Sequence, residues 1–198
     1  MENRDTKIGL VIMASGLGKR FGGNKLMEPF GGKPLVKWIL DASEALFDKR
    51  IVVTRSEAVK ELCRELNIEC IYHELPYRSD TVRLGLSALN EDKDIDYCFF
   101  CPGDQPLIKR DSLVKLTDKV KEQKYPIARS CFGDTMGSPM GFSKAFFEEL
   151  LNLPEGKGGN YVAKNNPESV YAVSVSNEWE LWDVDTREDL EKINDIIK

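Results

Sequence analysis

Val11–Leu26 reads VIMASGLGKRFGGNKL. A run of β-branched and apolar residues stops at Ala14-Ser15-Gly16, and Gly18, Gly22 and Gly23 follow among Lys19, Arg20 and Lys25. Extended back to Lys7, the apolar part (KIGLVIM) is nearly continuous, the pattern of a strand covered on both faces. The glycines after it let backbone N–H groups crowd round an anion, and a helix start beyond them adds partial positive charge. Between residues 19 and 37 stand five basic residues (Lys19, Arg20, Lys25, Lys33, Lys37) and one acid, Glu28, in a chain of net charge −5. That local reversal of charge predicts an anionic ligand directly after the first strand. The plainer alternative is a solvated turn with surface lysines.

Outward from this loop the chain alternates. Pro34 near a first turn opens a helical pattern at Leu35, Val36, Ile39, Leu40 and Leu46–Phe47. Strand 50–54 (RIVVT), a helix near 56–66, strand 68–72 (IECIY), a helix over 80–90, strand 95–101 and a helix at about 110–123 follow. The second half is looser. It reads as a strand at 126–131, a Gly/Pro break at MGSPMGF, a helix at about 143–152, and a loop LPEGKGGN leading to a short helix. Strands at 169–175 and 180–184 and a last helix at 187–197 complete it. Repeated strand–helix units predict an α/β fold, a mostly parallel sheet sandwiched by helices. The 198 residues fit a single domain, 1–198, with a loose tail at 1–6. Parallel sheets bind ligands at the carboxyl ends of their strands. The opening loop, CPGDQP and WDVDT all fall at such ends, so they are expected to share one rim.

Several function classes are disfavoured. A net negative chain lacks the broad basic face of a nucleic-acid binder. No apolar run approaches the ~20 residues of a membrane helix, and the start MENRDTK lacks a secretory stretch, so a cytoplasmic protein is expected. Five cysteines (Cys63, Cys70, Cys98, Cys101, Cys131) are odd in number and without disulfide rhythm. CFFC at 98–101 has the spacing of a redox or zinc half-site, but it lies inside an apolar run with no second pair and a single histidine, His73. The other reading is of small buried residues in a reducing compartment. His73 sits in no recognisable motif and is given no catalytic role.

Two familiar phosphate loops fail on specifics. A Walker A loop needs Gly-Lys followed by Ser or Thr, which GLGKRFGGNKL does not supply. A dinucleotide fingerprint needs G-x-G-x-x-G and an acid ending the second strand, where this chain has Gly16-x-Gly18-x-x-x-Gly22 and Thr54-Arg55. The order of residues in MASGLGKRFGGNKLMEPFGGKPL instead resembles the nucleotidyltransferase pattern L-A-A-G-x-S/G-x-R-M-G-x-x-K with a downstream G-K-P-L. The whole chain is similar to the molybdenum cofactor cytidylyltransferase family and its guanylyltransferase relatives. RSDTVRLGL (78–86), CPGDQPLI (101–108), GSPMGFS (137–143), PEGKGGN (154–160) and DVDTREDL (183–190) carry the resemblance in the family's order.

The resemblance implies a three-layer Rossmann-like nucleotidyltransferase fold with a mostly parallel mixed sheet. It implies transfer of CMP from CTP, or GMP from GTP, onto the phosphate of molybdopterin cofactor, with release of pyrophosphate. Arg20 and Lys25 would bind the triphosphate and meet charge that grows as pyrophosphate leaves. Asp104 would hold Mg²⁺, with Asp185 a second metal contact and Asp183 its competitor. Met13, Ala14, Ser15, Gly16, Gly18 and Gly103 would line the nucleotide site, and Ser79, Asp80 and Thr81 the base pocket. Gly137, Ser138 and Pro139 would face the acceptor, as would Gly158 and Gly159, and a recipient molybdoenzyme would take the product.

The residues agree with such chemistry. Phosphoryl-type transfer rests on positioning and charge neutralisation. Magnesium is content with one or two carboxylates plus phosphate oxygens and water. An acceptor phosphate is already anionic, so no strong base is needed. Asp185 or Thr186 also reads as a helix cap, and the GKGGN glycines as a helix entry. Ser15 departs from the family's alanine or glycine, and Phe21 replaces its usual methionine. A side chain at position 15 narrows the slot beneath the base, which favours CTP. One rival keeps the fold and changes the acceptor to a sugar phosphate or methylerythritol phosphate. GDQP, in place of the latter family's acid–alanine–arginine segment, disfavours that acceptor. A second rival is a non-catalytic carrier of cofactor or nucleotide, which would not need Arg20, Lys25 and Asp104 together.

Overall fold

Strand β1 (Ile8–Ala14) lies inside a seven-stranded sheet. Its alternate residues serve opposite faces. Leu10, Ile12 and Ala14 join one core cluster with Ile39 and Leu40, while Val11 joins the other with Ile51, Val82 and Leu86. Apolar cover on both sides is why the run is unbroken. The computed structural model describes residues 5–91 and 93–196. Of the tail expected at 1–6, residues 1–4 lie outside the described residues, as does residue 197 of the last predicted helix.

A two-stranded ribbon, β2 (Pro29–Phe30) with β3 (Lys33–Pro34), leads into α1 (Leu35–Ala42). Then come β4 (Lys49–Thr54), α2 (Glu57–Glu65), β5 (Glu69–Tyr72), α3 (Arg78–Leu89), β6 (Tyr97–Pro102) and α4 (Arg110–Gln123). The second half holds β7 (Ile127–Phe132), β8 (Thr135–Ser143), α5 (Phe147–Leu151), α6 (Gly159–Asn165), β9 (Val170–Ser174) and α7 (Arg187–Ile196). The sheet order is β5-β4-β1-β6-β8-β7-β9. β8 runs antiparallel to both its neighbours, and the other pairings are parallel. The fold is the expected α/β architecture with a mostly parallel mixed sheet.

Three elements differ from the sequence reading. MGSPMGF is no break but the body of β8, between β6 and β7. Glycine and proline are scarce inside strands, yet here the missing Cβ has a use. A Cβ on Gly141 would come within 2.4 Å of the Tyr97 ring and 2.6 Å of Phe99, so glycine alone lets those rings cross the strand. The first helix stops at Ala42 rather than running to Phe47, because Ser43 turns its hydroxyl back onto the Ile39 carbonyl and Ala45 takes a left-handed φ of 51°. The strand expected at 180–184 is a 3-10 turn over Glu178–Leu181. Its fully buried Glu180 carboxylate accepts from the backbone N–H groups of Ser176, Asn177 and Lys109 and so fixes the turn.

What positions the site is the common end of three strands. The register sets Ala14 opposite Thr54 and Met13 opposite Pro102. Thr54 donates its hydroxyl proton to the Ala14 carbonyl, and the Gly103 N–H donates to that of Met13. β4 and β5 lie to one side of β1 and all later strands to the other, so strand order reverses between β1 and β6. That switch point is where open α/β sheets form a crevice.

Candidate active site

A cleft of about 520 Å³ opens at the switch point, walled by the loop after β1, the start of α3, and the ends of β4 and β6. The loop takes its form from a tight turn. Gly18 has φ +59°, and a Cβ there would lie 2.2 Å from the Gly23 carbonyl oxygen. The Gly18 carbonyl in turn accepts from the N–H groups of Phe21 and Gly22, both at 3.0 Å. Phe21 is buried beneath the turn and carries the Arg187 guanidinium over its ring at 4.8 Å. Arg20 is left facing the cleft, and the chain dives inward at Lys25–Leu26.

Lys25 is the pivot. Its side chain is 7% exposed, and its ammonium donates to Asp104 Oδ2 at 2.5 Å, to the Val184 carbonyl at 2.8 Å and to Asp185 Oδ1 at 3.2 Å. Burial alone would pull this ammonium's pKa down, but Asp104 and Asp185 outweigh burial and raise it above its ordinary value. Arg20 grips the other oxygen of Asp185 at 2.8 Å. The segment bearing Asp183 and Asp185 is brought here by the Val184 N–H, which donates to the Asp104 backbone carbonyl at 2.9 Å. Asp185 is not the cap of α7. Thr186 and Asp189 exchange side-chain and backbone hydrogen bonds instead, which leaves the Asp185 carboxylate free for Lys25 and Arg20.

Asp183 lines the same cleft. Crowding by surrounding protein, then the Asp104 and Asp185 carboxylates, push its pKa up to about 6, although the cleft leaves the side chain accessible. Among the described residues no three Asp, Glu, His or Cys side chains converge tightly enough to hold a metal by themselves. The donor set still fits a hard divalent cation that arrives with phosphate oxygens. A carboxylate offers about four lone-pair sites, and Lys25 takes one each from Asp104 and Asp185, so oxygen remains for a cation.

Residues 10–170 match the family described as the MobA-like NTP transferase domain. The chain belongs to this family. It is a nucleotidyltransferase. It is 27% identical over 196 residues to a probable molybdenum cofactor guanylyltransferase of Pyrococcus furiosus, an alignment covering 94% of this chain and 96% of that one. In structure it is similar to Rv0371c of Mycobacterium tuberculosis, with a TM-score of 0.86 at 24% identity over 96% of this chain and 99% of that one. A structure of Rv0371c in complex with manganese matches with a TM-score of 0.76 at 23% identity, over 96% of this chain and 99% of that one.

In this nucleotidyltransferase, Met13, Ser15, Gly16, Gly18, Arg20, Lys25, Thr81, Asp104 and Asp185 all line the one cleft. Ser138, Gly158 and Gly159 line a second cleft of about 310 Å³. Ala14, Ser79, Asp80, Gly103, Gly137 and Pro139, expected at the site, are not among the residues that line either cleft; Gly137 packs against Leu181 instead. Asp80 works on its own helix, where it accepts from the Tyr77 N–H and pairs with Arg83. His73 stands behind the loop, 2.9 Å from the Ser15 hydroxyl, and burial together with Arg55 lowers its pKa. The Ser15 hydroxyl also reaches the Val53 carbonyl at 3.1 Å, so it is tied into the wall rather than offered to a ligand.

Sequence reasoning missed Arg55 and Arg78 in the first cleft, and Arg129, Lys157 and Lys164 in the second. Arg129 left one signal, a cation inside the strand IARSCF. The second cleft counts no acid among its lining residues.

Asp183 yields a pH prediction. Its folded pKa is raised, so between its ordinary 3.8 and about 6 the folded chain binds more protons here than the unfolded chain does. Stability from this group is therefore greatest below that window and falls as pH rises through it. In Asp183→Asn the fall is absent, and the difference in Tm between variant and parent, measured without metal, widens with rising pH. A difference independent of pH would show that Asp183 titrates as an ordinary surface acid.

Proposed function

We propose that the chain transfers CMP from CTP to the phosphate of molybdopterin cofactor. The observation that carries this is the joining of a glycine loop to a Lys25–Asp104–Asp185 cluster beside a second, acid-free cationic cleft. An oxygen of the acceptor phosphate attacks the α-phosphorus of CTP, and a new P–O bond forms. The bond from that phosphorus to the bridging oxygen breaks, and pyrophosphate leaves with the electron pair. No proton transfer is required. Asp104 and Asp185 would hold Mg²⁺, which supplies charge neutralisation for the triphosphate. Arg20 binds the β- and γ-phosphates from the exposed side.

Lys25 already spends its three donors on three acceptors. It reaches a phosphate oxygen by releasing one of them. Asp185, the longest contact and one that Arg20 also holds, is the partner it gives up. The acceptor lies in the second cleft, where Arg129 loses pKa to burial and has no acid beside it, so an anion would relieve it. Phosphorylated sugars and methylerythritol phosphate offer the same reacting group and are the acceptors to compare. A non-catalytic carrier would bind nucleotide here and release no pyrophosphate.

The base assignment rests on Ser15, which lines the cleft with Thr81 and has its hydroxyl anchored on the Val53 carbonyl and on the His73 nitrogen that Thr81 also reaches. The name of the Pyrococcus relative favours the second reading, GTP. The test is kcat/KM for CTP, GTP and ATP in the parent and in Ser15→Gly. CTP leads in the parent, and Ser15→Gly improves GTP relative to CTP by roughly ten-fold, the low end of what a pocket's shape discriminates. A parent that prefers GTP would move the assignment to guanylyl transfer.

A further inference from the structure

Two anions, the α-phosphate of the nucleotide and the acceptor phosphate, must meet where the two clefts join, and their repulsion needs a cation at that point. The cations of the two clefts are otherwise separate: Lys19, Arg20, Lys25 and Arg55 line only the first, and Arg129, Lys157 and Lys164 only the second. Three residues line both, and they are Met13, Arg78 and Pro102. Arg78 is the charged one.

Its placement is built. Arg78 is the first residue of α3, a helix of 12 residues, so the partial positive charge of the helix start adds to its own. Its stem lies along the loop that precedes α6, close enough that a Cβ on Gly158 would sit 3.1 Å from its Nε. The Glu155 carboxylate of the same loop acts on the Tyr77 phenol at the helix start and raises its pKa. Among the described residues Arg20, Arg64, Arg83 and Arg187 pair with acids within 4 Å, whereas Arg78 makes no such contact and only the more distant charge of Asp183, across the same cleft, draws on it. Its guanidinium is thus available to an anion.

We propose that Arg78 is a catalytic residue that bridges donor and acceptor, donating N–H bonds to the α-phosphate and to the attacking phosphate as the new P–O bond forms. This rests on the nucleotidyl-transfer reading above. Because the bridge is complete only with both substrates present, losing it slows turnover more than it weakens nucleotide binding.

The experiment measures pyrophosphate release with CTP, Mg²⁺ and molybdopterin cofactor, and separately the Kd for CTP without acceptor, for the parent, Arg78→Ala and Arg78→Lys. Expected in Arg78→Ala is a fall in kcat of about 10²–10³-fold, with Kd for CTP changed by less than about three-fold. Arg78→Lys, which keeps the charge and loses the planar fork, recovers part of that loss. An active parent with Arg78→Ala near its kcat, or with the whole loss in CTP affinity, overturns the bridging role alone. A parent that releases no pyrophosphate from any nucleotide overturns the transfer reading, and the bridging role with it.

Discussion

Lys25→Ala is expected to lower turnover by about two to three powers of ten, the cost of removing one preorganised charge contact from a phosphoryl-transfer site. The lysine is the common partner of Asp104, Asp185 and the Val184 carbonyl. Without it, Asp104 loses its cation and Arg20, on Asp185, is the one ion pair left to the three acids, and like charges so close disfavour ionisation of the set. On the proposed reading, the variant loses a ligand to the phosphates and disturbs the acids that would hold the cation. Its fold survives, since Asp104 and Asp185 keep contact with water, and the melting temperature falls by only a few degrees. Steady-state pyrophosphate release beside thermal melting separates the two effects. Near-parent turnover with nucleotide bound as before would remove Lys25 from the chemistry.

Asp104→Asn is expected to cost more, leaving no measurable divalent-dependent turnover. The amide keeps the shape, and its oxygen still accepts from Lys25, but the charge that holds a cation is gone. The backbone bond from Val184 to Asp104 is untouched, so the fold stays intact. Asp185→Asn should hurt less. Its carboxylate is the more exposed of the two, at 38% against 22%, and Arg20 shares it. Because Thr186 and Asp189 cap α7 without it, Asp185→Asn leaves the melting temperature unchanged. A lowered melting temperature with activity retained in Asp104→Asn would mark that residue as structural and put the metal elsewhere.

These residues were legible for a local reason. The loop after β1 announces itself because strand, glycines and cations are contiguous, and Asp104 because it interrupts an apolar strand abruptly. Gathering Asp104 with the 183–185 segment depends on long-range pairing that no window of sequence contains. For Asp104 it was reached through the rule that parallel strands present their carboxyl ends to a ligand. The 183–185 segment instead follows a 3-10 turn rather than the expected strand, and is carried to the rim by the Val184 N–H on the Asp104 carbonyl. β8 was illegible for the opposite reason. Its glycines and Pro139 weigh against a strand locally, and only the rings of Tyr97 and Phe99 lying across Gly141 explain them. Arg78 was hidden because a charged residue at a helix start reads as surface until two clefts are seen to share it. His73 carried no motif, and its contact with Ser15 joins residues 58 apart in the chain.

The most direct measurement follows the fate of the α-phosphate. CTP labelled at the α-phosphorus is incubated with the purified full chain, molybdopterin cofactor and Mg²⁺, and the products are separated. Label is expected in the acceptor, matched one-to-one by unlabelled pyrophosphate, and abolished both by chelation of the metal and by Asp104→Asn. Label that stays in CTP or appears only in free CMP, with no labelled acceptor for any phosphorylated acceptor tried, would contradict nucleotidyl transfer to a small-molecule phosphate.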